Sequence, residues 1–160
     1  MLTIIQNYTI EDVKNSINYL LEKAAYDEEV RQLAVQITYD RNPIAGVYDF
    51  IKTNVHYTPD PVRNHENIEL FISPVKMVRD YKNGLPLAGD CDDQAILAVA
   101  LYRSIGIRSN VTLLDTAGKG LDHAVANVYS DTVKKYIFVD PSSSEFPLGW
   151  EIQYYERIDV

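Results

Sequence analysis

The chain contains one cysteine, Cys91, in the segment Gly89-Asp90-Cys91-Asp92-Asp93-Gln94, directly ahead of an apolar run from Ala95 to Tyr102. A single cysteine excludes an internal disulfide and a multi-cysteine metal site. Two roles remain: a small buried hydrophobe, which is the common use of a free cysteine, or a nucleophile. The apolar run puts the thiol in the first turn of a buried helix, where unpaired backbone N–H groups favour the thiolate. Asp90, Asp92 and Asp93 act against that effect. Thiol chemistry here therefore requires a nearby cation, and a histidine supplies one that also moves protons.

Of three histidines, His123 is the one in a suitable setting. It opens the β-like stretch His123 to Ser130, which is followed by Asp131-Thr132 and a second stretch, Val133 to Val139, that ends at Asp140-Pro141. This pattern predicts a hairpin. With Asp131-Thr132 at its centre, Ser130 faces Val133 and His123 faces Asp140. Directly opposed side chains on an antiparallel pair have Cβ atoms about 4.5–5.5 Å apart on one face of the sheet, so the carboxylate reaches the imidazole. A turn centred one residue later makes the pair diagonal and keeps it within reach. Cysteine, histidine and aspartate are the parts of a thiol triad: nucleophile, proton carrier, and a carboxylate that orients the imidazole and stabilises its charged form.

The elements that must position these groups follow from caps and periodicity. Thr9 with Asp12 reads as a capping box for a helix to about Ala25, with Val13, Ile17, Leu20 and Leu21 on one face. Asp27 starts a second helix, 28–38, and Asn42-Pro43 a third to about Val55. Ser73-Pro74 repeats the device for a short helix, 75–81, which Gly84 and Pro86 terminate. Residues 56–72 read as loop because Pro59 and Pro61 block regular structure. The cysteine helix is apolar on all sides from Ala95 to Leu101, which predicts a central helix covered by other elements. Gly106 ends it. A strand over 108–115, a flexible connection over 116–121 as a mobile rim to the site, the hairpin, and a last strand within 152–158 complete the reading. The fold class is α+β, with N-terminal helices and a central cysteine-bearing helix packed on an antiparallel sheet in one domain over 1–160.

Gly89-Asp90-Cys91-Asp92-Asp93, the helix ending Arg103-Ser104-Ile105-Gly106-Ile107-Arg108, then Asp122-His123-Ala124, then Val139-Asp140-Pro141-Ser142, resemble in order and separation the core of the transglutaminase-like superfamily of papain-related thiol enzymes. Asn54-Val55-His56-Tyr57 with Pro59-Asp60 resembles the segment those proteins carry before the cysteine, so the likeness spans roughly residues 43–142. It implies a papain-like core and acyl transfer through Cys91, His123 and Asp140. Hydrolysis of a peptide or amide is the first reading and transfer to a lysine amine the second. It also points upstream, toward Tyr57 or Leu85-Pro86, for a second oxyanion donor beside the Cys91 N–H. A weaker similarity, from Leu70 to Asp93, to short transglutaminase-like proteins of bacteriophage and prophage structural clusters leaves a silent virion or binding module as the reading from a different class.

The chain has 160 residues, 46% of them hydrophobic, with 7 Gly and 7 Pro, which supports a single core and argues against disorder. A net charge of −8 and no visible basic patch disfavour nucleic acid and anionic lipid and suit a neutral or cationic polypeptide partner. No basic start with a long apolar stretch opens the chain and no run approaches membrane-spanning length, so a cytoplasmic protein with no membrane association, or a virion-associated one, is expected. Oligomeric state has no sequence signal. No metal and no cofactor are expected. The acidic trio around Cys91 lacks the glycine and glutamate positions of an EF-hand loop, His56 and His65 have no ligand spacing and read as surface residues, and Gly118-Lys119-Gly120 is no phosphate loop. Among twelve tyrosines, Tyr57 and Tyr81 are expected, with Trp150, to line a peptide groove.

Overall fold

A computed structural model describes residues 2–6, 8–61 and 68–160. The elements in chain order are β1 (Leu2–Gln6), α1 (Ile10–Ala25), α2 (Glu28–Ile37), α3 (Pro43–Asn54), β2 (Val55–Tyr57), β3 (Ile68–Ile72), α4 (Pro74–Lys82), β4 (Leu87–Gly89), α5 (Cys91–Ser104), β5 (Ser109–Asp115), β6 (His123–Ser130), β7 (Lys135–Val139) and β8 (Glu156–Asp159).

Three of the helix starts are built by the predicted side-chain caps, whereas Ser73 opens α4 without a side-chain cap bond and only Pro74 acts there as expected. Thr9 Oγ1 accepts from Asp12 N while the Asp12 carboxylate accepts from Thr9 N. Asp27 accepts from Glu29 N and Val30 N, and Asn42 accepts from Ala45 N ahead of Pro43. Each cap satisfies N–H groups that have no partner inside the helix.

Helix α5 is the axis of the molecule. Every residue from Ala95 to Tyr102 is at most 1% exposed, because α1, α2, α3 and α4 and the strands β5 and β6 all pack against it. A helix covered on all sides can be apolar all round, and each large side chain buried in it contributes about 1.5–3 kcal/mol. Its one polar side chain in that stretch, Tyr102, donates its hydroxyl to Ile44 O at 2.8 Å, so burial leaves no orphaned group. Strands β7-β6-β5-β8 form an antiparallel sheet. Val111, Leu113, Ala124, Ala126, Val128 and Val139 join the α5 core, whereas Leu114, Val125 and Ile152 form a second cluster with Phe138 and Phe146. No helix among the described residues is long and apolar enough to cross a membrane.

Three departures from the sequence reading have physical causes. Residues 56–72 are not all loop: β2 pairs in parallel with β4, and β3 pairs antiparallel with β1. These strands are three to five residues long and are held by partners distant in sequence, so local patterning is silent about them. Prolines 59 and 61 do lie outside regular structure, and His65 lies outside the described residues. The β6–β7 loop has four residues, with Ser130 opposite Lys135 and Lys134 at φ 56°, so its centre is Thr132-Val133. That moves Asp140 from directly opposite His123 to a diagonal position. The slip is an even number of residues, which preserves the face. Finally, the 116–121 connection is tied down: Asp115 accepts N–H groups from Ala117, Gly118, Lys119 and Gly120, and Asp122 accepts from Thr116 N and Oγ1. A carboxylate filled by four backbone donors holds the loop in one shape. The last strand is also shorter than expected, starting at Glu156.

Candidate active site

Cys91 is the first residue of α5, half-buried, and Asp90 is the N-cap. The Asp90 carboxylate takes the N–H groups of Asp92 and Asp93, so the Cys91 N–H is not one of the cap's donors, and Cys91 stands at the positive end of the helix dipole. His123 is the first residue of β6 and Asp140 directly follows β7, so strand ends bring both to the mouth of α5.

His123 Nε2 lies 2.7 Å from Asp140 Oδ2. Asp140 is 4% exposed, and its other oxygen accepts from Ser142 N at 3.1 Å and Ser142 Oγ at 2.6 Å. Burial pushes the Asp140 pKa up. The hydrogen bond and charge of His123, with the Ser142 donors, more than offset this and hold it below the usual carboxylate range. Burial likewise opposes the charged form of His123, but hydrogen bonds and charge from Asp140 and Cys91 win and raise its pKa to about 10. With Nε2 engaged by Asp140, Nδ1 is the nitrogen left for Cys91.

The acidic residues beside the thiol are not three free carboxylates. Burial, followed by contacts with Glu69 and Asp90, pushes Asp92 far above the carboxylate range, so it is a neutral acid at physiological pH. Burial raises Asp93 to about 7, with Asp90 and Asp60 adding to the shift and the Ile72 N–H opposing it. Asp60 is raised to about 6 by burial and by Asp90. These upward shifts oppose the build-up of negative charge that the sequence sets around Cys91. Two sets, Asp60-Glu69-Asp90 and Asp90-Asp92-Asp93, each bring one oxygen per residue within 4.8 Å of the others, and they are the hard oxygen donors of the site. Several also have structural partners. Asp93 accepts from Ile72 N at 2.7 Å, Asp60 from Leu70 N at 2.7 Å, and Glu69 from the Tyr8 hydroxyl at 2.9 Å.

Asp93 thus fastens β3 to the start of the cysteine helix, a role that its place in the first turn does not announce. Gly89 exists for the same reason: a Cβ there would lie 2.7 Å from Asp93 Cβ and 2.9 Å from Asp93 Oδ2. Gly89→Ala is expected to lower stability by about 1–3 kcal/mol through overpacking, measured as the shift in urea midpoint. An unchanged midpoint would show that Asp93 can move freely.

Two clefts meet at His123. The first, about 270 Å³, is lined by Cys91, Tyr57, Tyr8, Ile10, Leu121 and Asp122 among others. The second, about 450 Å³, has Trp150 and Phe146 on its wall. Tyr57 and Trp150, expected at a groove, therefore stand at the site, both more than half exposed. Tyr81 does not. It packs edge-on against Phe50, with ring centroids 4.8 Å apart, and lines neither cleft, because its place on α4 turns it toward the helical core. His56 is exposed and outside both clefts. Tyr8 and Phe146 line the clefts without any local sequence signal, whereas Leu121 belongs to the connection expected at the rim of the site. Asp122, as the neighbour of His123, is the one such residue that motif reading could have flagged.

This geometry matches known proteins at the level of fold and family. The model of the transglutaminase-like superfamily matches residues 30–141, and the chain belongs to that superfamily. The matched region starts upstream of the 43–142 segment that carries the motifs and so includes most of α2. A candidate cysteine protease from Cytophaga hutchinsonii superposes with a TM-score of 0.54 at 19% identity, over 88% of this chain and 49% of that one. A candidate protease from Parabacteroides distasonis does so with a TM-score of 0.52 at 16% identity, over 77% of this chain and 25% of that one. The chain spans about half the length of the first and a quarter of the second. LapG of Legionella pneumophila aligns at 18% identity over 80% of this chain and 74% of its own, with a TM-score of 0.47. No curated protein is significantly similar to the chain. Both superpositions above 0.5 support the papain-like α+β core.

Proposed function

We propose that the protein is a thiol acyl-transfer enzyme that hydrolyses a peptide or amide bond. The observation that carries this reading is the 2.7 Å contact of His123 Nε2 with the buried Asp140 carboxylate, beside a lone cysteine at a helix N-terminus. In this mechanism Cys91 and His123 rest as a thiolate–imidazolium pair, with the thiol's proton held at His123 Nδ1. The thiolate attacks the carbonyl carbon and the C=O electron pair moves onto oxygen. That oxyanion is met by the Cys91 N–H. Tyr57 is the second donor. Burial, and then the charges of Cys91 and the nearby acids, raise its pKa, so its phenol keeps its proton. Collapse of the intermediate breaks the C–N bond as His123 protonates the departing amine, which leaves a thioester on Cys91. Water attacks the thioester carbonyl as His123 takes a proton from it, and collapse of that intermediate breaks the C–S bond, so the acid leaves and the thiolate–imidazolium pair re-forms.

The test is incubation with a mixture of short peptides and a primary amine, analysed by mass spectrometry. Hydrolysis predicts new carboxyl termini with a gain of one water, absent with Cys91→Ala. Amine adducts in their place would make the protein a transamidase. No product and no covalent labelling of Cys91 by a peptidyl chloromethyl ketone would overturn the enzyme reading. Asp140→Asn is expected to slow turnover by about 10²-fold, as a misplacement of the proton carrier does. The amide oxygen still accepts from His123 Nε2, but the Ser142 donors then face an NH2 group. A rate equal to wild type would remove Asp140 from the mechanism.

A further inference from the structure

From the cleft on the far side of His123 we infer that the substrate presents an arginine side chain next to the reacting carbonyl. The inference rests on the hydrolase reading above and names its substrate class. Its basis is the pairing of an aromatic wall with a carboxylate. Trp150 is 53% exposed, and its ring stacks on Phe146 with centroids 6.3 Å apart and planes inclined by 20°. Phe146 holds the indole in place on one side and leaves the rest of it to the cleft. Asp122 and His123 stand on the same cleft, with Ser143 and Gln153 as polar neighbours and no lysine or arginine on its lining. Asp122 is exposed, and its Oδ2 has one donor, Thr116 Oγ1, so it can accept again. His123, the one basic group on the lining, has its charge met by Asp140 at 2.7 Å, and Lys52 is turned to Tyr48 Oη and Ser143 O.

An indole face beside an exposed carboxylate with acceptor capacity left suits a planar cation. A guanidinium stacks on the ring through its face and hydrogen-bonds the carboxylate through its edge, which an ammonium does less well and a neutral group does not. Glu69 and Asp90 on the adjoining cleft, and the net charge of −8, draw a cationic polypeptide toward the same region.

Trp150 is the single tryptophan of the chain, so it reports on this site independently of catalysis. In the Cys91→Ala protein, titration with N-acetyl-arginine amide is expected to change tryptophan emission saturably, with N-acetyl-citrulline amide, the neutral isostere, binding about tenfold more weakly. Asp122→Asn keeps an oxygen for Thr116 and should erase the difference between the two. Equal responses to arginine and citrulline, or no saturable response, would overturn the inference. In wild type, peptides containing arginine should be cleaved in preference to their citrulline versions. Saturable arginine binding without any cleavage would sink the hydrolase and keep the subsite. Cleavage indifferent to arginine, with an unresponsive Trp150, would do the reverse.

Discussion

Replacing Cys91 by alanine is expected to reduce hydrolysis of every accepted peptide by at least about 10⁴-fold, because the covalent route disappears and only substrate positioning remains. The fold should survive. Cys91 is half-buried at the first position of α5, and the cap belongs to Asp90, so alanine removes a sulfur and disturbs no hydrogen bond of the helix start. The thermal midpoint is expected within about 2 °C of wild type, the range of a substitution away from packing and caps. His123→Ala should be equally inactive but behave differently in stability. It leaves Asp140, 4% exposed, with the Ser142 donors and no imidazolium, and breaking a buried pair in this way costs about 3–5 kcal/mol. Activity of this variant therefore has to be compared at a temperature where circular dichroism shows both proteins folded. Residual turnover above a hundredth of wild type in either variant would contradict the assigned roles.

The second large effect is in pH. His123 is expected to titrate near 10 in the folded protein, and substantially lower in Cys91→Ala and in Asp140→Asn, since burial alone would depress it and both partners raise it. The imidazole Cε1–H resonances, followed by NMR with His123→Gln for assignment, measure this directly. The consequence for stability has a definite sign. A histidine raised from 6.5 to about 10 contributes stability that is complete below pH 6.5 and is lost as pH rises toward 10. Asp93, raised from 3.8 to about 7, and Asp60, raised from 3.8 to about 6, act in the same direction at lower pH. Ionising them in the folded state costs free energy as pH climbs from 3.8. Asp140 acts oppositely, since its lowered pKa makes its contribution vanish as pH falls below the ordinary carboxylate range. Stability from urea unfolding should therefore be greater at pH 5 than at pH 7, and greater at pH 7 than at pH 9.5. In His123→Gln the decline above pH 7 should flatten. Stability rising from pH 5 to 9.5 would mean that these groups do not carry the charges assigned here.

Much of this site was readable from local chemistry. The lone Cys91 before a run of apolar residues places a thiol at the head of a buried helix, because a helix apolar on every side can only be central. The caps Thr9, Asp27, Asn42 and Asp90 mark helix starts through their own side chains, and each makes the bond its type predicts. His123 and Asp140 sit on one hairpin, and a hairpin with a short loop constrains its own pairing, so even a turn misjudged by one residue kept them on one face.

The strands β1 to β4 were not legible, since each is at most five residues long and pairs with a segment that sequence adjacency does not supply. Nor was the charge state of the acidic segment. Asp90, Asp92 and Asp93 read as three negative charges, and folding buries Asp92 and Asp93, which raises both pKa values, with Glu69 and Asp90 adding to the shift of Asp92, and Asp90 and Asp60 to that of Asp93. The sequence alone determined which residue types are available for thiol chemistry, the helix that presents the cysteine, and the hairpin that presents its partners, because those depend on caps, periodicity and turns within a few residues. Tertiary structure decided the rest. It set the pKa values, sent Tyr81 into the core and brought Trp150 and Asp122 to one cleft, because burial and proximity between distant segments exist only once the chain has packed.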